Sequence, residues 1–237
     1  MISSVNKMIK AEEMCPVDCL IADFAALLDW GVSKPNEMDS RERQYIATMK
    51  LRARFSNVRE AISNDEFLQN LHSTLTGFFR LARRTNLKPL DQFKLELGAH
   101  AQSIASFEGR KLSTEPNATG AQLWDLINQL KIADCKRKLV SGTKTLHLLL
   151  PDLVVPVDGR YTGAFLFRYG TDFDEGEDEQ ETFRIAFATF QTIAKAVAPE
   201  TYVGKHPMHT TPTKVIDNGV MGFVERTRHN FNRSGAQ

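Results

Sequence analysis

Lys144 and Asp158 stand fourteen positions apart in the stretch of this chain whose residue types best suit chemistry, Leu139 to Gly170, LVSGTKTLHLLLPDLVVPVDGRYTGAFLFRYG. Ser141-Gly142-Thr143-Lys144-Thr145 reads as a glycine-containing turn between helices. Such a turn exposes backbone N–H groups and, with the N-terminus of the following helix, forms an anion site suited to DNA phosphate. Lys144 adds a point charge there, or an amine nucleophile if burial lowers its pKa. The same residues can also make an ordinary helix corner with a surface lysine. Val155-Pro156-Val157 sets an extended approach to Asp158, which falls where a helix N-cap is expected. A capping carboxylate is held rigidly, and helix N–H groups favour its charge. Facing a cleft, it would stabilise an oxocarbenium ion at a sugar C1′ or activate an attacking water or amine. Away from a cleft it is only a cap.

Gly142-Thr143-Lys144, the apolar run Leu146–Leu150 and Val155-Pro156-Val157-Asp158 together resemble the helix–hairpin–helix DNA glycosylases, the oxoguanine branch most closely. That family carries a Gly-rich hairpin ending Gly-x-Lys-x-Ala, an apolar helix, and Val-Pro-Val-Asp at the next helix start. The resemblance implies a two-lobed helical bundle with a helix–hairpin–helix and a central cleft into which a target base is flipped. It implies that Asp158 is the catalytic aspartate and that Lys144 matches the Schiff-base lysine of members with AP lyase activity. Ser141, Gly142, Thr143, Lys144 and Thr145 would then contact DNA, with Arg160 steering a phosphate. His147, Trp124, Tyr161 and Phe165 are candidates for the base pocket, although each also suits a core. The departures are specific. Lys138-Leu139-Val140-Ser141-Gly142 stands where the hairpin usually reads Leu-Pro-Gly-Val-Gly, the Lys-to-Asp interval is shorter than usual, and Gly159-Arg160 replaces the common Thr-His. The expected function is a DNA glycosylase acting on a damaged or modified base, in repair or in defence against phage DNA. The alternatives are a non-catalytic helix–hairpin–helix DNA-binding module and a helical scaffold whose acidic segment docks a basic partner.

The elements that must position these residues are helical almost throughout. Val17, Leu20, Ile21, Phe24, Leu27 and Leu28 share one helical stripe, and Phe67, Leu68, Leu71, Leu75, Phe78, Phe79 and Ala82 another. Phe183, Phe187, Phe190, Ala194 and Val197 recur at amphipathic spacing. Further helices are expected at about 40–61, 89–107, 119–130, 143–150, 159–169 and 212–228, with N-caps at Asp39-Ser40 and Ser63-Asn64-Asp65. The strand-like piece Leu153–Val157 also reads as an extended connector, residues 109–119 as an irregular link, and Asn230–Ser234 as a frayed end. In the C-terminal helix Ile216, Gly219, Val220 and Phe223 form a packing stripe. Lys214 sits at the positive end of that helix dipole, which points to an anionic partner, DNA among the candidates.

The 237 residues suffice for one large domain or two lobes, and 42% apolar with 25% charged is ordinary for a globular protein. The net charge of +1 hides an uneven distribution. Residues 171–181 hold seven acids and no base, so the rest of the chain sums to about +8. Lys131 to Lys144 carries five bases against one acid, a charge compatible with phosphate contacts or with a solvated face. Asp172, Asp174 and Glu175 lack the glycine-turned spacing of a calcium loop, and His206 and His209 lack a third ligand, so no metal is expected. Cys15, Cys19 and Cys135 are too few for a disulfide framework or a four-thiolate iron–sulfur cluster. No cofactor, no membrane span and no secretory segment are expected, and the cysteine usage suggests the cytoplasm.

Overall fold

The computed structural model describes residues 15–81, 86–167 and 178–234. Among them the chain is all-α, with eleven α-helices and no strand. In order they are α1 (Pro16–Ala22), α2 (Phe24–Leu28), α3 (Ser40–Arg52), α4 (Val58–Ser63), α5 (Asp65–Thr76) and α6 (Leu90–Ala105). There follow α7 (Ala118–Gln129), α8 (Leu139–Leu149), α9 (Ala164–Phe167), α10 (Glu179–Val197) and α11 (Pro212–Ser234). A π-helical turn, Gly159–Gly163, leads into α9, and a 3-10 turn, Pro199–Tyr202, follows α10.

Side-chain caps explain several of these starts. Asp39 accepts from the N–H groups of Arg41 and Glu42, while Glu42 accepts from the Asp39 N–H, a complete capping box for α3. Asn57 and Asn64 cap α4 and α5. The first apolar stripe is broken at Asp23 into α1 and α2, and the expected 40–61 helix is divided between α3 and α4. Leu153–Val157 is an extended connector, and α11 continues to Ser234, past the segment expected to fray.

Helix α8 lies at the centre. It packs on α3 and α5 to one side and on α7 and α10 to the other, while α11 crosses α2 and covers the π-helical turn and α9. One apolar cluster runs through these helices, with Leu20, Phe67, Phe93, Leu123, Ile127 and Leu146 fully buried. Gly31 and Gly222 set the α2–α11 crossing. A Cβ on Gly222 would lie 1.9 Å from the Leu27 carbonyl oxygen, so only glycine permits that approach. Gly219 meets the Phe24 ring in the same way, as the small-residue stripe predicts.

The acidic segment is partly described. Asp172, Asp174 and Glu175 lie outside the described residues, as do the last two positions of the helix expected at 159–169. Asp178 caps α10, and Glu181 pairs with Arg184 at 2.5 Å. The half-buried Glu179 carboxylate accepts from the N–H groups of Lys138 at 2.9 Å and Leu139 at 3.2 Å.

Candidate active site

The turn expected at Ser141–Thr145 is not there. These five residues lie inside α8, all of them buried. The Gly142 N–H is spent on the Lys138 carbonyl at 2.8 Å, so it presents no donor to a phosphate. Gly142 serves close packing instead, since a Cβ there would stand 2.6 Å from Ile127 Cγ2 of α7. The connection between α7 and α8 is residues 130–138, and the N-terminus of α8 is occupied by Glu179. An anion site does exist at that helix start, but the chain's own carboxylate fills it. Ser141 bonds back to the Lys138 carbonyl at 3.3 Å, and the Thr145 hydroxyl is buried without a partner. The phosphate-grip expectation for Ser141, Gly142, Thr143 and Thr145 is therefore corrected. In a helix these side chains pack inward, and the backbone N–H groups are already bonded.

The same helix does bring Lys144 within electrostatic range of Asp158. Thr143 donates its hydroxyl to the Leu139 carbonyl at 2.8 Å and accepts the Val157 N–H at 3.2 Å. That bond pins the connector to α8 one residue before Asp158. Asp158 then caps the π-helical turn, as its position after Val-Pro-Val predicts: Oδ1 accepts the Tyr161 N–H at 2.7 Å. The Asp158 N–H reaches the Thr162 hydroxyl at 3.3 Å, and its carbonyl accepts the Gly163 N–H at 3.1 Å. Short π-helical turns of this kind recur at functional sites. Oδ2 makes no hydrogen bond among the described residues, so one oxygen of a fixed carboxylate remains for other work.

Lys144 is 7% exposed and makes no ion pair within 4.0 Å among the described residues. Its ammonium lies over the Phe79 ring, 5.3 Å from the centroid. Burial lowers its pKa. Asp158 and Asp217 pull it back up, and Lys214 pushes it further down. Lys214, 1% exposed, pairs with Asp217 at 2.5 Å, one turn along α11, so the anionic partner expected near that helix start is part of the same chain. Burial raises the Asp217 carboxyl, and Lys214 opposes that shift. Lys144, Lys214 and Asp217 thus feel one another and Asp158 electrostatically, with aromatic rings against both lysines. Lys214 lies 5.6 Å from the Phe78 centroid and 5.9 Å from that of Tyr45.

A neutral hydrogen-bond network backs this group. The Val154 carbonyl, 2.9 Å from His147 Nδ1, can only accept, so Nδ1 carries the proton and Nε2 accepts from Tyr45 at 2.9 Å. The Tyr45 oxygen accepts in turn from Thr210 at 3.0 Å, and Thr213 donates to the Pro151 carbonyl at 2.5 Å. Burial drives the His147 pKa down to about 3 and the Tyr45 phenol up. His147 is thus a fully satisfied core residue that ties α3, α8 and α11 together.

The other sequence candidates are dispersed. Trp124 is buried 6.0 Å from Phe183, in the contact of α7 with α10. Phe165 is buried against Phe223, 5.4 Å away. Tyr161 is half-buried. Burial, with Glu225 beside it, pushes its phenol up to about 12. Arg160 is exposed, pairs with Glu225 at 3.1 Å and covers the Tyr161 ring. Sequence reasoning missed Tyr45, Phe78, Phe79 and Asp217 as parts of the site. Phe78 and Phe79 continued an apolar stripe, but α5 ends at Thr76, the Phe79 N–H bonds to the Thr74 carbonyl, and Arg80 takes a positive φ of 54°. The pair therefore leaves the helix face and stays half-buried. Asp217 carried one legible signal, its i, i+3 spacing from Lys214.

No protein family, curated protein or solved structure matches the chain. What is shown is the all-α class. Among the described residues no helix is long and apolar enough to cross a membrane, and no three His, Cys, Asp or Glu side chains converge as a metal site would require.

Proposed function

We propose that the chain is a DNA glycosylase that excises a damaged or modified base, with Asp158 and Lys144 at its reacting centre. The observation that carries this reading is the buried Lys144 amine, without a close ion pair, coupled to a capping carboxylate that keeps one oxygen unbonded. A lowered pKa leaves more neutral amine near pH 7, the form that can attack carbon. In this reading α3–α6 and α9–α11 supply the two lobes, and α8 carries Lys144 between them. A flipped base stacks on the half-buried Phe78–Phe79 pair, reached past the rim formed by Asp158 and Tyr161. As the C1′–N bond breaks, its electron pair leaves with the base, which takes up a proton. Asp158 stabilises the positive charge developing at the sugar. Either water or the Lys144 amine then bonds to C1′. Bonding by the amine leads through ring opening to a Schiff base, the route to AP lyase activity. The cytoplasm and a role in repair or phage defence follow from the same reading.

The test is strand scission on end-labelled duplexes, each carrying one altered base, together with phage DNA bearing modified cytosines. Alkali-dependent cleavage that Asp158→Asn abolishes, with DNA binding retained, is the expected result. A borohydride-trapped adduct lost in Lys144→Ala would assign the amine as nucleophile. Salt-sensitive DNA binding without cleavage of any substrate would replace this reading with the non-catalytic module. Absence of DNA binding would remove both and leave the helical scaffold.

A further inference from the structure

A concavity of about 520 Å³ lies between α3, the Phe107–Arg110 link, the end of α8 and the Val203–Thr211 loop. Ile46, Met49, Leu149 and Pro207 give it an apolar wall. The loop that forms one side is closed on itself. The Gly204 N–H donates to the His209 carbonyl at 2.9 Å, and Gly204 takes a positive φ of 80° at that return. The His209 N–H donates to the His206 carbonyl at 2.9 Å. Two further bonds tie the loop to the body: Asn218 donates to the Met208 carbonyl at 3.2 Å, and Thr210 to the Tyr45 oxygen at 3.0 Å.

Two imidazoles sit in the middle of this loop, their rings 5.3 Å apart. His206 Nδ1 accepts the Met208 N–H at 3.1 Å, a bond open only to a neutral ring with its proton on Nε2. That Nε2 is buried and bonded to nothing among the described residues. Protonation of His206 turns Nδ1 into a donor facing a donor, so the Met208 N–H loses its acceptor. His209 is 5% exposed. Burial foremost, then His206 and Lys214 of α11, drives its pKa down to about 4, while the Tyr202 backbone and Asp29 act the other way. Across the cavity stand Lys50, Arg52 and Arg110 against Glu108 and Asp152. Arg52 is tied to Glu108 at 3.0 Å and Arg110 to Glu115 at 3.5 Å, so the lining holds no excess of negative charge for an imidazolium.

We propose that the Val203–Thr211 loop is an acid-opened flap: proton uptake by His206 and His209 breaks its closure, releases Thr210 from Tyr45 and bares the apolar wall. Both rings hold the loop closed when neutral, so closure is complete near pH 7 and weakens as pH falls through the range in which imidazoles charge. In the open loop His209 returns from about 4 toward an ordinary value of roughly 6.5, which favours the open form about tenfold more at pH 5 than at pH 7. This inference does not depend on the glycosylase reading.

Amide hydrogen exchange of the full chain at pH 7 and pH 5, each rate divided by its intrinsic value, tests it. The Gly204 and Met208 amides are expected to be less protected than those of Leu146 and Leu148 in α8, and to lose about tenfold of their protection at pH 5. His206→Asn keeps an oxygen to accept the Met208 N–H but cannot take up the proton, and His209→Phe keeps a ring without a charge. With both changes the loop's loss should shrink below about threefold, while the α8 amides respond to pH as in the wild type. Loop protection equal to that of α8, loop protection unchanged between the two pH values, or a double variant that keeps the tenfold loss would overturn the proposal. If the variants do not fold, NMR of the wild-type chain decides. A Met208 amide resonance that moves with the titration of the His206 ring supports the flap, and one that stays in place through that titration overturns it.

Discussion

Acidification from pH 7 to pH 5 should destabilise the fold through His147, by an amount that follows from its environment. The ring is fully buried, and its neutral form is fixed by the Val154 carbonyl and the Tyr45 hydroxyl. Its pKa of about 3 in the fold lies far below the value of roughly 6.5 for an unfolded chain. A histidine with a depressed folded pKa contributes its full stability above the unfolded value and loses it as pH falls below that value, down to the folded one. Integrating proton uptake from pH 7 to pH 5 gives a loss of about 2 kcal/mol. His209, whose folded pKa burial lowers to about 4, loses stability in the same direction over the same interval. The His147 loss alone is a sizeable share of the roughly 5–15 kcal/mol typical of a domain. Asp217, its carboxyl raised by burial, titrates in the opposing direction, so the informative quantity is a difference between proteins. Urea unfolding of wild type and His147→Asn at half-unit pH steps supplies it. The variant is less stable at every pH, but its loss between pH 7 and pH 5 should be about 2 kcal/mol smaller than that of the wild type. Parallel pH profiles, or a His147 resonance titrating near its unfolded value, would refute the network as described.

Three further outcomes follow from single contacts. Asp217→Asn strands the buried Lys214 charge and should cost about 3–5 kcal/mol in urea unfolding, whereas Lys214→Met with Asp217→Leu should be neutral or stabilising. In the double variant base excision should still fall, which separates a retained functional pair from a structural one. Thr143→Val leaves the Val157 N–H unpaired and should cost about 1–3 kcal/mol, while Thr143→Ser keeps the bond and most of the stability. Gly222→Ala drives a Cβ into the Leu27 carbonyl and should lower stability by at least about 1–3 kcal/mol, measured as a shift in the urea midpoint.

The helices were legible because their apolar spacing is local information. Phe183 to Val197 marks α10 without any knowledge of its neighbours, and the Asp39 and Asn64 caps need only two or three adjacent residues. Asp158 was legible for the same reason, since proline before it and a helix after it leave little else for a carboxylate to do. The divided helices were less so. Breaks at Asp23 and beyond Arg52 depend on what each segment packs against, and no proline or glycine announces them.

Gly142 shows where local reading ends. A glycine beside Ser, Thr and Lys signals a turn when it is needed for its backbone freedom, but it is equally needed where two helices touch. The deciding fact is the Ile127 side chain, on a different helix. The site behaves likewise. Tyr45 reaches His147 across 102 positions of sequence, and Lys214 comes to Lys144 from α11. Such partners are chosen by the packing of α8, not by spacing along the chain. Asp158 still lies within electrostatic range of Lys144 without the expected turn, because its position rests on a different constraint, the Thr143 hydroxyl gripping the connector. An aspartate placed in this way is held by the fold itself. On the proposed reading, the substrate would come to this preformed carboxylate and be held against the half-buried Phe78–Phe79 pair, whose Phe79 ring lies under the Lys144 ammonium.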